Sequence, residues 1–182
     1  MTSKFLYDII YTKDKEMVYL LKQQHNKKEK ERNIMARRIE KYPETKTFHY
    51  YNANPKNRIT GDCVTRALCT ALDIPYNKCV MEQAEVQCKT GYDNATAQGI
   101  DYYLKEKGWT KCSQPRKADG TKYTGEEWCK ELNHSIWFVG KSIVANIGGH
   151  HTVCIKEVDG KFKVHDHWDS TDGCIGNYWI KK

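Results

Sequence analysis

Asp159-Gly160 stands between two strand-like runs, Thr152-Val-Cys-Ile155 and Phe162-Lys-Val164. Asp-Gly in such a place favours a two-residue type I′ hairpin turn, whose two central positions both need positive φ. The turn fixes a register in which Val158 faces Lys161, Val153 faces Asp166 and His151 faces Trp168. Strand side chains alternate between faces, so each face can be written down. One holds His151, Val153, Ile155, Phe162, Val164, Asp166 and Trp168; it is mostly apolar and is predicted to face the core. The other holds His150, Thr152, Cys154, Lys156, Lys163, His165, His167 and Asp169, and is predicted to face solvent.

This register separates two adjacent histidines. His151 falls on the core side, diagonal to Asp166, where a carboxylate can orient an imidazole. A general base needs such a fixed tautomer and partial shielding from water. His151 with Asp166 is therefore preferred over His150 with Asp169, against the plainer reading of His151 as a hydrogen-bonded rim residue. The polar face suggests a competing site, since His150, Cys154, His165, His167 and Asp169 include types that hold zinc.

A nucleophile is suggested upstream. In Gly61-Asp-Cys-Val-Thr-Arg-Ala-Leu68 the apolar positions Val64, Ala67, Leu68, Ala71 and Leu72 follow the rhythm of a helix with one buried face. Asp62 is a good N-cap type, which puts Cys63 in the first turn. Unpaired N–H groups and the positive end of the helix dipole there favour thiolate over thiol.

Further helices are predicted near 76–88, over 95–107, and from the Thr124-Gly-Glu-Glu127 capping box to about Asn133. Strands are predicted from Ile136 onward: Ile136-Trp-Phe-Val139, Ser142-Ile-Val-Ala145, the two hairpin strands, and Asn177-Tyr-Trp-Ile180. Helices first and strands afterwards indicate an α+β domain. The stretch 46–51 alternates only weakly and reads as extended chain.

Residues 1–45 differ from the rest. They carry 11 Lys or Arg against 7 Asp or Glu, contributing +4 of the net +7. The stretch 15–42 reads as one long helix, apolar at both ends and polar between, stopped by Pro43. It suits a solvated helix or an arm that meets a protein partner or a second copy. A nucleic-acid contact is less favoured, because no aromatic residues lie among its basic ones to stack on bases. The domains are thus a basic helical arm, 1–45, and a folded domain, 46–182.

The eight cysteines contain no C-x-x-C pair, which argues against zinc ribbons and redox motifs. Most are predicted to be reduced and buried as small apolar side chains. No run of about 18 apolar residues suggests a membrane span, and Met-Thr-Ser-Lys-Phe-Leu-Tyr-Asp does not read as a signal peptide. A cytoplasmic protein is expected.

Cysteine at a helix start, histidine entering a strand and aspartate after a hairpin, in that order, resembles the papain-like cysteine peptidases. The likeness is to their compact branch related to bacteriocin-processing peptidases. Gly61-Asp-Cys-Val-Thr-Arg-Ala-Leu68 and Asp166-His-Trp-Asp-Ser170 also resemble segments of small phage-encoded proteins, and Asp62-Cys63 is similar to the nucleophile segment of a cell-wall hydrolase group. The resemblance covers residues 50–180. It implies N-terminal helices, one bearing the nucleophile, packed on a C-terminal antiparallel sheet. It implies a Cys63–His151–Asp166 triad cleaving a peptide, isopeptide or other amide bond, with a protein or peptide substrate and no cofactor or metal. Asn57 stands where the family places a Gln that helps form the oxyanion hole, and Val64 where the bacteriocin-processing branch places Gly. The alternative reading on the same fold is a weak or inactive relative that binds a host or partner macromolecule.

Overall fold

The computed structural model describes residues 3–181, with side chains from Glu16 onward. Contacts divide the chain into two units, Met1–Lys41 and Tyr42–Lys182.

The first unit is one helix, α1 (Ser3–Lys41). It begins twelve residues earlier than the sequence pattern suggested and spans about 58 Å at 1.5 Å per residue. It stops two residues before Pro43, as the restriction on the residue preceding proline requires. Met17, Val18, Leu20, Leu21, Ile34 and Ile39 are exposed along it.

The second unit is α+β. Its helices are α2 (Cys63–Leu72), α3 (Tyr76–Thr90), α4 (Ala97–Glu106) and α5 (Gly125–Leu132). Its strands are β1 (Phe48–Tyr50), β2 (Trp109–Cys112), β3 (Ile143–Ile147), β4 (His151–Val158), β5 (Lys161–Asp166) and β6 (Ile175–Lys181). They form one sheet in the order β1-β5-β4-β3-β6-β2. The sheet is mixed, not purely antiparallel as expected, because β1 runs parallel to β5, with Phe48 opposite Val164. The weakly alternating stretch at 46–51 supplies that edge strand. β2 went unread because four residues after a helix carry too little pattern to declare a strand.

The hairpin register is the one the turn dictates. Val158 faces Lys161, Ile155 faces Val164 and Cys154 faces His165. Asp159 and Gly160 take φ of 52° and 72°, the two positive values a type I′ turn demands.

The expected division into a core face and a solvent face is not found. Both faces of the sheet are covered. Val144, Cys154 and Trp179 pack with Val64, Ala67, Leu68 and Ala71 of α2 and with residues of α3 and α4. Val153, Ile155, Phe162, Val164 and Ile180 pack on the other side with Trp128, Cys129 and Leu132 of α5. Cys154 and Thr152, assigned to solvent by their polarity, lie buried beneath the helical layer. A cysteine and a threonine are small enough to sit under a helix, and alternation alone cannot say whether a second layer exists.

The capping box at α5 has both arms: Glu127 N–H donates to Thr124 Oγ1 at 3.2 Å, and Thr124 N–H to Glu127 Oε2 at 2.9 Å. The run 136–139 is no strand. Ile136–Phe138 form a single 3₁₀ turn, closed by Phe138 N–H on the Ser135 carbonyl and followed by a second turn in which Lys141 N–H donates to the Phe138 carbonyl past Gly140 at φ 70°. Both neighbours of β3 are already occupied, by β4 and β6, so this apolar run has no sheet edge to join. All eight cysteines are unpaired, yet only Cys69, Cys79, Cys129 and Cys154 are buried, while Cys88 and Cys174 are exposed. No described helix is long and apolar enough to cross a membrane.

Candidate active site

α2 starts at Cys63 because the chain turns there at Asp62, and its buried side anchors it on the sheet. Thr65 Oγ1 donates to Gln83 Oε1 of α3 at 2.7 Å, which fixes the helix about its own axis. Asp62 does not behave as the cap its type suggested. Its side chain makes no capping bond. One carboxylate oxygen instead accepts from Tyr76 Oη at 2.7 Å and Asn54 Nδ2 at 3.0 Å, and the other pairs with Arg66 Nη1 at 2.8 Å. Drawn away from the helix end, this carboxylate leaves the first-turn N–H groups beside Cys63 without a side-chain cap, available to a developing oxyanion. Burial opposes the charge on Asp62, but those partners outweigh it and hold the carboxyl below its usual range.

His151 opens β4 after the turn at Gly148 and Gly149, whose φ values of 59° and 89° only glycine adopts without strain. Asp166 closes β5. His151 Nε2 lies 2.5 Å from Asp166 Oδ2. Asp166 is buried, and its remaining capacity is filled: Ser170 Oγ donates to Oδ2 at 3.1 Å, and the His167 backbone N–H donates to Oδ1 at 2.7 Å. His167 Nδ1 also lies 2.9 Å from Oδ1. Burial alone would raise its pKa; the hydrogen bonds from His151 and His167 prevail and push it down to about 2. The Trp168 ring stands 5.3 Å from the His151 ring at 43°, shielding the imidazole on one side.

Cys63 faces His151 and the Thr152 backbone, and both favour the sulfur's charged form. With Nε2 on Asp166, the nitrogen left to His151 for the sulfur is Nδ1. By alternation His151 and Asp166 belong to the α5 side of the sheet, the side away from α2. The contact is possible because both residues stand at strand ends, where an imidazole reaches round the end of the sheet to the start of α2.

The electrostatics follow from that triangle. Burial raises the Cys63 thiol, but His151 and the Thr152 backbone outweigh it, so its pKa falls below the ordinary thiol value. Burial lowers the His151 imidazolium, and Asp166 and Cys63 more than reverse this, raising it to about 9. Both shifts favour thiolate and imidazolium over the neutral pair. A cleft of about 310 Å³ opens beside it, lined among others by Ile147, Gly148, His151, Trp168 and Asp172.

No family model, curated protein or solved structure matches the chain.

Of the sequence-derived site residues, His151 is hydrogen-bonded to Asp166, and Cys63 lies close enough to His151 for the imidazole to lower its pKa. Asn57 sits in the turn before α2 with a left-handed backbone, φ 51°, its N–H on the Asn54 carbonyl at 2.9 Å. The alternative pairing of His150 with Asp169 fails on geometry: His150 is exposed and Asp169 is taken up by Thr171, whose hydroxyl donates to it at 2.6 Å. The five residues read as a metal set disperse, Cys154 into the core, His165 against the His49 ring at 4.8 Å and His167 onto Asp166. Among the described residues no group of His, Cys, Asp and Glu is placed to hold a metal ion. Sequence reasoning missed Asn54, Arg66, Tyr76 and Ser170. Only Arg66 carried a readable signal, its i,i+4 spacing from Asp62.

Proposed function

We propose that the second unit is a papain-like cysteine hydrolase that cleaves a peptide, isopeptide or other amide bond through Cys63, His151 and Asp166. The observation that carries this reading is the His151–Asp166 pair at 2.5 Å, with His151 in turn lowering the pKa of Cys63. Support also comes from the order nucleophile, base and orienting carboxylate, and from a nucleophile helix packed on antiparallel strands.

In this mechanism the Cys63 thiolate attacks the carbonyl carbon, and the carbonyl electrons move to oxygen. The Cys63 N–H, at the first position of α2, donates to that oxyanion. As the tetrahedral species collapses, the His151 imidazolium gives its proton to the leaving nitrogen and the amine departs, leaving a thioester. Water enters, His151 takes its proton, and the hydroxide adds to the thioester carbonyl. Collapse expels the Cys63 thiolate and frees the acid. Asp166 keeps its charge throughout and holds His151 in the productive orientation.

The test is a peptide library digested by the protein and by Cys63→Ser, with products mapped by mass spectrometry. Cleavage by the wild type alone supports the reading; identical spectra from both proteins overturn it. Asn57→Ala in the same assay tests the second oxyanion donor: a drop in kcat with little change in KM is expected if the amide acts in the transition state.

A further inference from the structure

The 3₁₀ turn between α5 and β3 carries three exposed apolar side chains in four residues. Ile136 is 92% exposed, Trp137 54% and Val139 64%. Phe138 between them turns inward and packs with the core. Isolated exposed apolar residues are ordinary, but a contiguous group at one turn marks a surface that meets something apolar. Beside this tip lies a cavity of about 330 Å³ lined by Ala71, Trp109, Gly140, Lys141, Ser142 and Lys181. Its only charged linings are two lysines. Lys141 Nζ also stands 3.6 Å from the centre of the Trp137 ring, so one cation touches both tip and cavity. Glu157 Oε2 accepts the Gly140 N–H at 3.3 Å and braces the base of the turn.

We infer that this tip is a peripheral contact for an anionic lipid surface. Ile136, Trp137 and Val139 would enter the acyl boundary, and Lys141 and Lys181 would meet the headgroup phosphates. Residues 136–139 lie outside every strand and carry one polar side-chain group, the Trp137 indole N–H, so with the adjacent lysines they suit an apolar phase with an anionic surface better than a partner read by polar contacts. Tryptophan beside lysine is the pairing that interfacial depth favours. The placement also leaves the candidate active site free. Ile143 of β3 pairs with Ile155 at the tip end, whereas Ile147 pairs with His151 at the site end. About 14 Å of strand separates the two ends.

The full chain is sedimented with vesicles of phosphatidylcholine alone and of phosphatidylcholine mixed with phosphatidylglycerol, the acyl chains brominated to quench tryptophan. Binding to the anionic vesicles only is expected, with quenching that Trp137→Phe largely removes. Ile136→Asp combined with Val139→Asp is expected to weaken binding about tenfold or more. Lys141→Glu with Lys181→Glu should remove the preference for anionic lipid. Failure to bind either vesicle overturns the proposal, and so does equal binding to both. Sedimentation with quenching that is indifferent to Trp137 also overturns it, and would move the contact to the basic helix α1. These side chains are exposed, so matching circular dichroism between variants and wild type is expected and separates lost contact from lost fold.

Discussion

His151 Nε2 and Asp166 Oδ2 are 2.5 Å apart although fifteen positions separate the residues, and a two-residue turn at Asp159-Gly160 sets the register that brings them together. Removing the charge while keeping the shape, in Asp166→Asn, leaves burial as the main influence on His151, so its pKa drops and the thiolate loses its counter-ion. The Cys63 alkylation rate at pH 6 is expected to fall about tenfold for each pKa unit by which the Cys63 thiol rises. Mass-spectrometric measurement of labelling at Cys63 checks it.

Ser170 Oγ donates to the buried Asp166 carboxylate at 3.1 Å. Hydrogen bonds to charged groups contribute about 1.5–3 kcal/mol, so Ser170→Ala should lower stability by an amount of that order in urea unfolding at pH 7. The acid limb should move as well. The carboxyl ordinarily titrates near 3.8 and is depressed to about 2 in the fold, so its stabilisation is present above 3.8 and lost as pH falls through about 2. In Ser170→Ala the folded pKa rises, so the loss should still begin near 3.8 but be smaller and complete at a higher pH than in the wild type.

The hairpin register with its His151–Asp166 pair, the start of α2 and the capping box of α5 were legible, because each depends on local chemistry: turn φ, helix periodicity or a reciprocal cap. Layering was not. Cys154 and Thr152 look polar in sequence, and only tertiary packing reveals α2 lying over them. The parallel pairing of Phe48 with Val164 joins segments more than a hundred residues apart, which no local pattern encodes. Asp62 shows the same limit at a single side chain. Its type fits an N-cap, but Tyr76, Asn54 and Arg66 compete for the carboxylate and win.

His151 gives a second pH signature of opposite sign. Its pKa rises from 6.5 to about 9 on folding, so its stabilisation is fully present below 6.5 and disappears as pH rises through about 9. The stability gap between wild type and His151→Ala should therefore shrink between these limits, as measured by urea midpoints at half-unit pH steps.

Arg66 is buried one helical turn from Cys63 and pairs with Asp62 at 2.8 Å. Losing one partner of a buried ion pair costs about 3–5 kcal/mol because the other charge is stranded. Arg66→Met is expected to destabilise the second unit by roughly that amount and to raise the Cys63 pKa, since the guanidinium also favours the thiolate. Asp62→Asn with Arg66→Met should recover part of the stability, which a double-mutant cycle measures.

The most direct test is the pH profile of iodoacetamide labelling at Cys63, resolved by peptide mapping, in wild type and in His151→Ala. The exposed Cys88 and Cys174 in the same digests serve as internal comparisons. The expected result is rapid Cys63 labelling that persists below pH 7 in the wild type and shifts to the ordinary thiol range, near about pH 8.5, without His151. Slow labelling of wild-type Cys63 with that ordinary profile, unchanged in His151→Ala, would contradict a thiolate–imidazolium pair at this site.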